Sequence, residues 1–273
     1  MATTKTITLI TGANSGIGLE IAAQLLADAS KHVLLGCRSA EKGEAAMTDL
    51  TSRNLPGSVE FLHLDVSDPT SIEAAAKTVE AKHGKLDALI NNAGIASPTP
   101  ANSILNEIAF NGSQATFPLS PLASQMALCF QANATGPLLL SEALSPLLSK
   151  TTTNHPRIIS VSSGAGSISK RLTPSNGGAA SKIRAPWYYA SKAAMNMVAA
   201  EQVVQFGGKG FKIFTYCPGF TVSNLGPFNK AENGAKPTSE GARPVVRMVN
   251  GECDELHGKF VHEDGGKLGE YPW

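Results

Sequence analysis

Tyr188 and Lys192 stand four residues apart in Tyr188-Tyr189-Ala190-Ser191-Lys192. On a helix that spacing puts both side chains on one face. An ammonium beside a phenol favours the phenolate, and is expected to lower the phenol's pKa from about 10 toward neutrality. A hydroxyl tuned in this way can exchange a proton with a carbonyl or alcohol oxygen. Such pairs also arise by chance, and alone this one reads first as a structural contact. A second group is Thr11-Gly12-Ala13-Asn14-Ser15-Gly16-Ile17-Gly18. Its glycines let the backbone turn tightly and approach a pyrophosphate, and the helix start behind them offers unpaired N–H groups and a positive dipole end. Its spacing is G-x-x-x-G-x-G, and a plain strand–helix turn is the alternative.

Three further positions bear on what such a turn would hold. Gly36-Cys37-Arg38-Ser39 carries a cation where a carboxylate would otherwise meet an adenosine ribose 2′-hydroxyl. Arg38 can fork two donors onto a 2′-phosphate, and the Ser39 hydroxyl can add another. The inference is NADPH over NADH, against a simple solvated arginine. Asp65-Val66 offers a carboxylate to an adenine amino group, or a cap to the next helix, for which Asp68 is also available. Asn91-Asn92-Ala93-Gly94 supplies small residues that permit close approach to a bound ribose, or makes an ordinary turn.

These residues need a frame that brings them together. Ile7–Ile10, His32–Gly36, Val59–Leu64 and Leu86–Ile90 are short apolar runs that read as strands. Between them, Ile17, Ile21, Leu25 and Leu26 form one helical stripe, and Ile72, Ala75, Ala76 and Val79 another. The rhythm continues with a long helix through Gln125–Leu148, a strand at Arg157–Ser162 and a helix at Tyr188–Phe206. It ends with a strand at Phe211–Tyr216, a helix near Glu240–Asn250 and a short strand at Lys259–His262. Strands alternating with helices predict a single doubly wound α/β domain of Rossmann type over residues 1–273, with a parallel seven-stranded sheet covered by helices on both faces. Ala96–Ser124, Gly164–Pro186 (with Gly177-Gly178) and Phe220–Pro237 break the rhythm. Each follows the carboxyl end of a strand, where open α/β sheets bind ligands.

Composition narrows the classes. The 273 residues include 23 Lys+Arg against 22 Asp+Glu, and 42% are hydrophobic. That excludes a disordered chain. The absence of a basic run argues against a nucleic-acid or membrane-surface binder. No apolar stretch reaches the roughly 20 residues of a bilayer span, and no secretory signal is visible. Cys37, Cys129, Cys217 and Cys253 lie far apart, and the six histidines show no i, i+4 pairing. The expectation is a cytoplasmic, metal-free protein with reduced thiols.

Taken together, the motifs resemble the short-chain dehydrogenase/reductase family, and within it the NADPH-dependent carbonyl reductases. The matching residues are Thr11-Gly12, Gly16-Ile17-Gly18, Asp65, Asn91-Asn92-Ala93-Gly94, Asn133, Ser163 in Val161-Ser162-Ser163-Gly164-Ala165-Gly166, Tyr188 with Lys192, and Pro218-Gly219. They stand in family order over nearly the whole chain. The resemblance implies that Tyr188 is the acid/base and that Lys192 lowers its pKa and bonds the nicotinamide ribose. It implies that Ser163, favoured over Ser162 by the Ser-x-x-Gly pattern ending in Gly166, holds the substrate oxygen. It also implies that Asn133 helps anchor a proton route to Lys192, and that Thr221 and Ser223 follow Pro218-Gly219 where the family contacts the nicotinamide carboxamide. The implied activity is NADP(H)-dependent reduction of a small-molecule ketone or aldehyde to an alcohol, reversible in principle. Reduction of a C=N or activated C=C bond, and a non-catalytic dinucleotide sensor, are the alternatives.

Two intervals are longer than is typical of that family: Asn91 to Asn133 and Ser163 to Tyr188. The extra residues are expected to wall the substrate pocket. The first interval borders a helix that many members use for oligomer contacts, which points away from the common tetramer toward a monomer or dimer. Trp187 and the tail Tyr271-Pro272-Trp273 are candidates for lining the pocket, with ordinary packing as the alternative.

Overall fold

The computed structural model describes residues 5–110, 115–173 and 183–273; Gly177-Gly178 lies outside the described residues. Three βαβ units open the chain: β1 (Thr6–Thr11), α1 (Gly16–Leu26), β2 (Lys31–Cys37), α2 (Ala40–Ser52), β3 (Ser58–His63), α3 (Pro69–His83) and β4 (Ala88–Asn91). Two short helices follow, α4 (Ile104–Phe110) and α5 (Leu119–Phe130). A π-helical turn at Gln131–Thr135 then joins α5 to α6 (Gly136–Leu148). The chain continues through β5 (Arg157–Val161), α7 (Ile168–Leu172), α8 (Pro186–Phe206), β6 (Lys212–Cys217), α9 (Thr238–Asn250), β7 (Phe260–Asp264) and β8 (Lys267–Glu270).

The sheet order is β3-β2-β1-β4-β5-β6-β7-β8. All pairs are parallel except β7–β8. Among the described residues the sheet has eight strands where seven were expected. Gly265 and Gly266, both with positive φ (54° and 82°), sit between the paired residues Asp264 and Lys267. Two such residues make the tight turn whose twist suits an antiparallel hairpin, so the chain folds back and adds β8 at the edge.

Central strands are buried along nearly their whole length because helices cover both faces. One face packs Ile10, Leu35, Ile90, Ile159 and Phe214 against α1, α2 and α9. The other packs Leu9, Leu34, Leu62, Leu89 and Ile158 against α3, α6 and the end of α8. Strand order reverses between β1 and β4, which puts a crevice at the carboxyl ends of those strands. A third, smaller cluster lies beyond the sheet: Leu105, Ala109, Cys129, Ala185 and Trp187, flanked by Phe117, Leu122, Met126, Tyr188 and Tyr189. It is made by the stretch between β4 and α6 and by the start of α8. No helix among the described residues is long and apolar enough to cross a membrane.

Candidate active site

At the end of β1 the backbone turns left-handed twice, at Gly12 (φ 63°) and Gly16 (φ 58°). A side chain at Gly12 would sit 2.9 Å from Ala93 Cα, and one at Gly18 would sit 2.5 Å from Asn92 Nδ2. The glycine turn is therefore pressed directly against Asn92-Ala93-Gly94. Hydrogen bonds fix this contact. Thr11 Oγ1 accepts from the amides of Asn92 and Ala93, each at 2.9 Å, and Asn92 Nδ2 donates to Thr11 O at 2.8 Å. Sequence reasoning gave Thr11 no part of its own; its place as the last residue of β1 before the glycines is the signal that marks it. Ser15, the N-cap of α1, is extended, and its side chain makes no capping bond. The first amides of α1 thus face the crevice free of a side-chain cap, as an anion would require.

The adenine-side candidates lie along the same edge. Arg38 is exposed and takes part in no ion pair among the described residues. Ser39 caps α2, its Oγ accepting from Lys42 N at 3.3 Å, and its own proton stays available to donate. Asp65 Oδ1 accepts from Ser67 N and Oγ, while Asp68 caps α3 by accepting from Thr70 N. The capping alternative for Asp65 is thereby taken by Asp68. Val66 packs beside Gly136 at the start of α6.

Tyr188, Lys192, Ser163 and Asn133 converge on the carboxyl ends of β4 and β5. Tyr188 and Lys192 occupy the first turns of α8, which opens with Pro186 in its first turn. Ser163 caps a short 3₁₀ turn at Gly164–Gly166, its Oγ accepting from Ala165 N at 3.2 Å. Gly166 lets that turn lie flat on α8, because a side chain there would meet the Lys192 carbonyl at 2.8 Å. Ser162 is buried and donates to Asn196 Oδ1 at 2.5 Å, so of the two serines its hydroxyl is the one committed to the core.

Asn133 sits on the π-helical turn, a local widening often found at functional sites. Its Oδ1 accepts from Ile95 N at 2.8 Å, and its Nδ2 donates to Ile95 O at 2.8 Å and to Ser191 Oγ at 2.9 Å. It therefore clamps the segment that follows β4 onto α8. Gly94 lies inside this clamp: a side chain there would come within 3.0 Å of Asn133 Oδ1 and 3.6 Å of Lys192 Nζ. Cys217, to which sequence reasoning gave no role, joins two loops. Its Sγ accepts from Gly164 N at 3.0 Å and Gly219 N at 3.4 Å, tying the Ser163 turn to Pro218-Gly219. Burial pushes its thiol up.

The electrostatics depart from the expectation in one respect. Lys192 Nζ donates to Val161 O at 2.9 Å and lies 6.0 Å from the Tyr188 ring centroid, so it is held by the strand and not by the phenol. Burial raises the Tyr188 phenol well above its ordinary value, and the neighbouring Ser163 hydroxyl works in the opposite direction. Burial brings the Lys192 ammonium down to about 8. The phenol thus stays protonated through the neutral range, the form that can donate.

Past β6, Thr221 is buried, and its Oγ1 donates to Pro218 O at 2.9 Å, so that hydroxyl serves the loop. Ser223 lies over Gly16, 3.8 Å from where a side chain there would begin. Trp187 is fully buried, donates to Ala96 O at 2.8 Å and packs edge-on against Phe117: it is core. The tail lies over the Ser163 turn. Tyr271 takes Lys170 Nζ over its ring at 3.5 Å, Pro272 O accepts from Ser167 Oγ, and Trp273 O accepts from Ser169 Oγ. A hollow of about 760 Å³ opens on the outer side of Gly219 and Phe220, lined also by Lys170, Lys236, Arg243 and Tyr271; Ser163, Tyr188 and Lys192 do not line it.

Residues 6–233 match the model of a family described as short chain dehydrogenase. The chain is 35% identical over 273 residues to the short-chain dehydrogenase anuI of Penicillium roqueforti, covering all of this chain and 99% of that one. It is 33% identical to the short-chain dehydrogenase/reductase tropE of Talaromyces stipitatus, with 96% of each chain covered. Among solved structures it is similar to NADPH-bound carbonyl reductase from chicken fatty liver, with a TM-score of 0.77 and 26% identity over 98% of this chain and 99% of the other. The Pseudomonas aeruginosa RhlG/NADP complex shares the fold, with a TM-score of 0.74 and 23% identity over 96% and 95% of the two chains.

Proposed function

The chain belongs to the short-chain dehydrogenase family, and from that membership we propose that it is an NADP(H)-dependent reductase of a ketone or aldehyde. The observation that carries the reading is the convergence of Ser163, Tyr188 and Lys192 at the strand ends, with Gly94 leaving room between Lys192 and Asn133. The residues fit a dinucleotide: an uncapped helix start behind left-handed glycines, an exposed arginine after β2 with no ion pair among the described residues, and a carboxylate at Asp65 held by Ser67 through one oxygen. The NADPH-bound state of the carbonyl reductase it is similar to supports the choice of cofactor.

When bound, the cofactor supplies a hydride to the carbonyl carbon. The first amides of α1 take its pyrophosphate, and Arg38 and Ser39 take the 2′-phosphate. Asp65 accepts from the adenine, with Val66 beside it, and Asn92, Ala93, Gly94, Pro218 and Gly219 frame the ribose and nicotinamide. Ser163 donates to the substrate oxygen, and Tyr188 delivers its phenolic proton to that same oxygen as negative charge develops there. Lys192 keeps a cation beneath the site.

Purified protein is expected to oxidise NADPH only when a carbonyl partner is present. Tyr188→Phe should cut turnover by about 10²- to 10⁴-fold, the usual worth of a positioned proton donor, while NADPH binding measured by fluorescence stays within about two-fold. Normal turnover by that variant would overturn the mechanism. Tight NADPH binding with no turnover on ketones, imines or enones would favour a sensor.

A further inference from the structure

We infer that His32, Glu60 and His83 form a binding site for a divalent transition-metal cation of the zinc class, at the end of the sheet opposite Tyr188. The histidines show no helical pairing in sequence; the fold brings them together. His32 pairs with Ser58 across β2 and β3, and alternate residues share a face, so His32, Ser58 and Glu60 all point the same way as Leu34 and Leu62. That face packs on α3, whose stripe of Ile72, Ala75 and Val79 runs one turn further to His83. Where the apolar layer ends, three metal-ligating side chains take the places that aliphatic residues hold further up.

Their geometry suits an ion. His83 Nε2 lies 3.4 Å and His32 Nε2 lies 3.8 Å from Glu60 Oε2, and all three atoms fall within 4.8 Å of one another. Zinc–ligand bonds of about 2.0–2.1 Å place tetrahedral donors roughly 3.3 Å apart. Both Nε2 atoms are buried, and among the described residues their polar neighbour, Glu60 Oε2, stands at ion-pair distance without a well-aligned hydrogen bond, a costly condition for polar atoms. Supporting bonds orient the donors. His32 Nδ1 lies 2.7 Å from Ser58 Oγ, and donation of its N–H there leaves the Nε2 lone pair aimed at Glu60. Lys82 holds Glu60 Oε1, so Oε2 is the oxygen left for a metal.

A hollow of about 270 Å³, lined by Lys5, Ile7, His32, Lys82, His83 and Lys85, gives access for the ion and a water ligand. Its lysines are engaged by Ser58, Glu60 and Asp87, which leaves the two Nε2 atoms and Glu60 Oε2 as the donors that face one another across it. Two imidazoles with one carboxylate favour zinc, nickel or copper over magnesium or calcium.

The test is titration of the metal-stripped full chain with Zn²⁺ against a chromophoric chelator, with a parallel titration with inorganic phosphate. The expected result is one equivalent bound at micromolar Kd or tighter, with a rise in Tm. His83→Gln and the isosteric Glu60→Gln should each weaken binding at least ten-fold, without altering NADPH binding. Zinc binding unchanged in both variants would place the ion on other residues and overturn the site. So would stabilisation by phosphate but not by zinc, or no zinc binding at all.

Discussion

In the cofactor crevice proposed above, Arg38 is the side chain whose replacement is expected to change most. It is exposed, without an ion pair among the described residues, and stands at the end of β2 where Gly36-Cys37-Arg38-Ser39 holds no carboxylate. A charge-assisted bond to a phosphate is worth about 1.5–3 kcal/mol, or roughly 10- to 100-fold in affinity. Arg38→Glu should therefore raise the KM for NADPH by about that factor and lower the KM for NADH, because the new carboxylate can accept from a 2′-hydroxyl. Steady-state kinetics with both cofactors checks this. An unchanged NADPH:NADH ratio would remove Arg38 from cofactor selection. Ser163 and Ser162 show the limit of reading single residues. They are adjacent and chemically identical, and what separates them is that Asn196 consumes the Ser162 hydroxyl.

At the level of elements, the glycine turn and the strand end after β4 act as one unit. Thr11 and Asn92 stitch them together, and Gly18 lies under Asn92 with no space for a methyl group, its Cβ position being 2.7 Å from Gly12 O. Backbone cannot move aside as a long side chain can. Gly18→Ala should cost roughly 1–3 kcal/mol of stability by overpacking, read from urea unfolding, and should weaken NADPH binding by displacing Asn92. The π-helical turn at Gln131–Thr135 has the complementary task of bringing Asn133 inward to hold Ile95 and Ser191 together. The segment between β4 and α6, broken in sequence by prolines, folds into α4 and α5 and builds a satellite core around Trp187 beside Tyr188. That Trp187 is core and not pocket lining follows from its indole N–H finding Ala96 O.

For the whole molecule, keeping a cation under the site costs stability. The folded pKa of Lys192 is lowered by burial from 10.5 to about 8. Below pH 8 the ammonium is charged in both folded and unfolded states, and the burial penalty of ~3 kcal/mol applies in full. Between pH 8 and 10.5 the unfolded chain binds more protons than the folded one, so this contribution to stability rises with pH. The difference in unfolding free energy between the native protein and Lys192→Met isolates it from other groups. That difference should move in favour of the native protein by up to ~3 kcal/mol from pH 7 to 10.5. A difference that stays flat, or moves the other way, would mean the amine is charged in the fold through that range.

The sequence alone was enough for the alternation of strands and helices, the order of the motifs and the helix that carries Tyr188 and Lys192. Those features depend on local periodicity and on residue types at fixed spacing, which the chain displays directly. The tertiary structure decided which serine hydroxyl Asn196 holds in the core, where the Lys192 ammonium points, that Thr11 and Cys217 fasten the strand ends and loops, and that β8 extends the sheet. It also decided that His32, Glu60 and His83 meet. Each of these depends on atoms distant in sequence competing for the same hydrogen bond or the same space, and that competition exists only once strands and helices are packed.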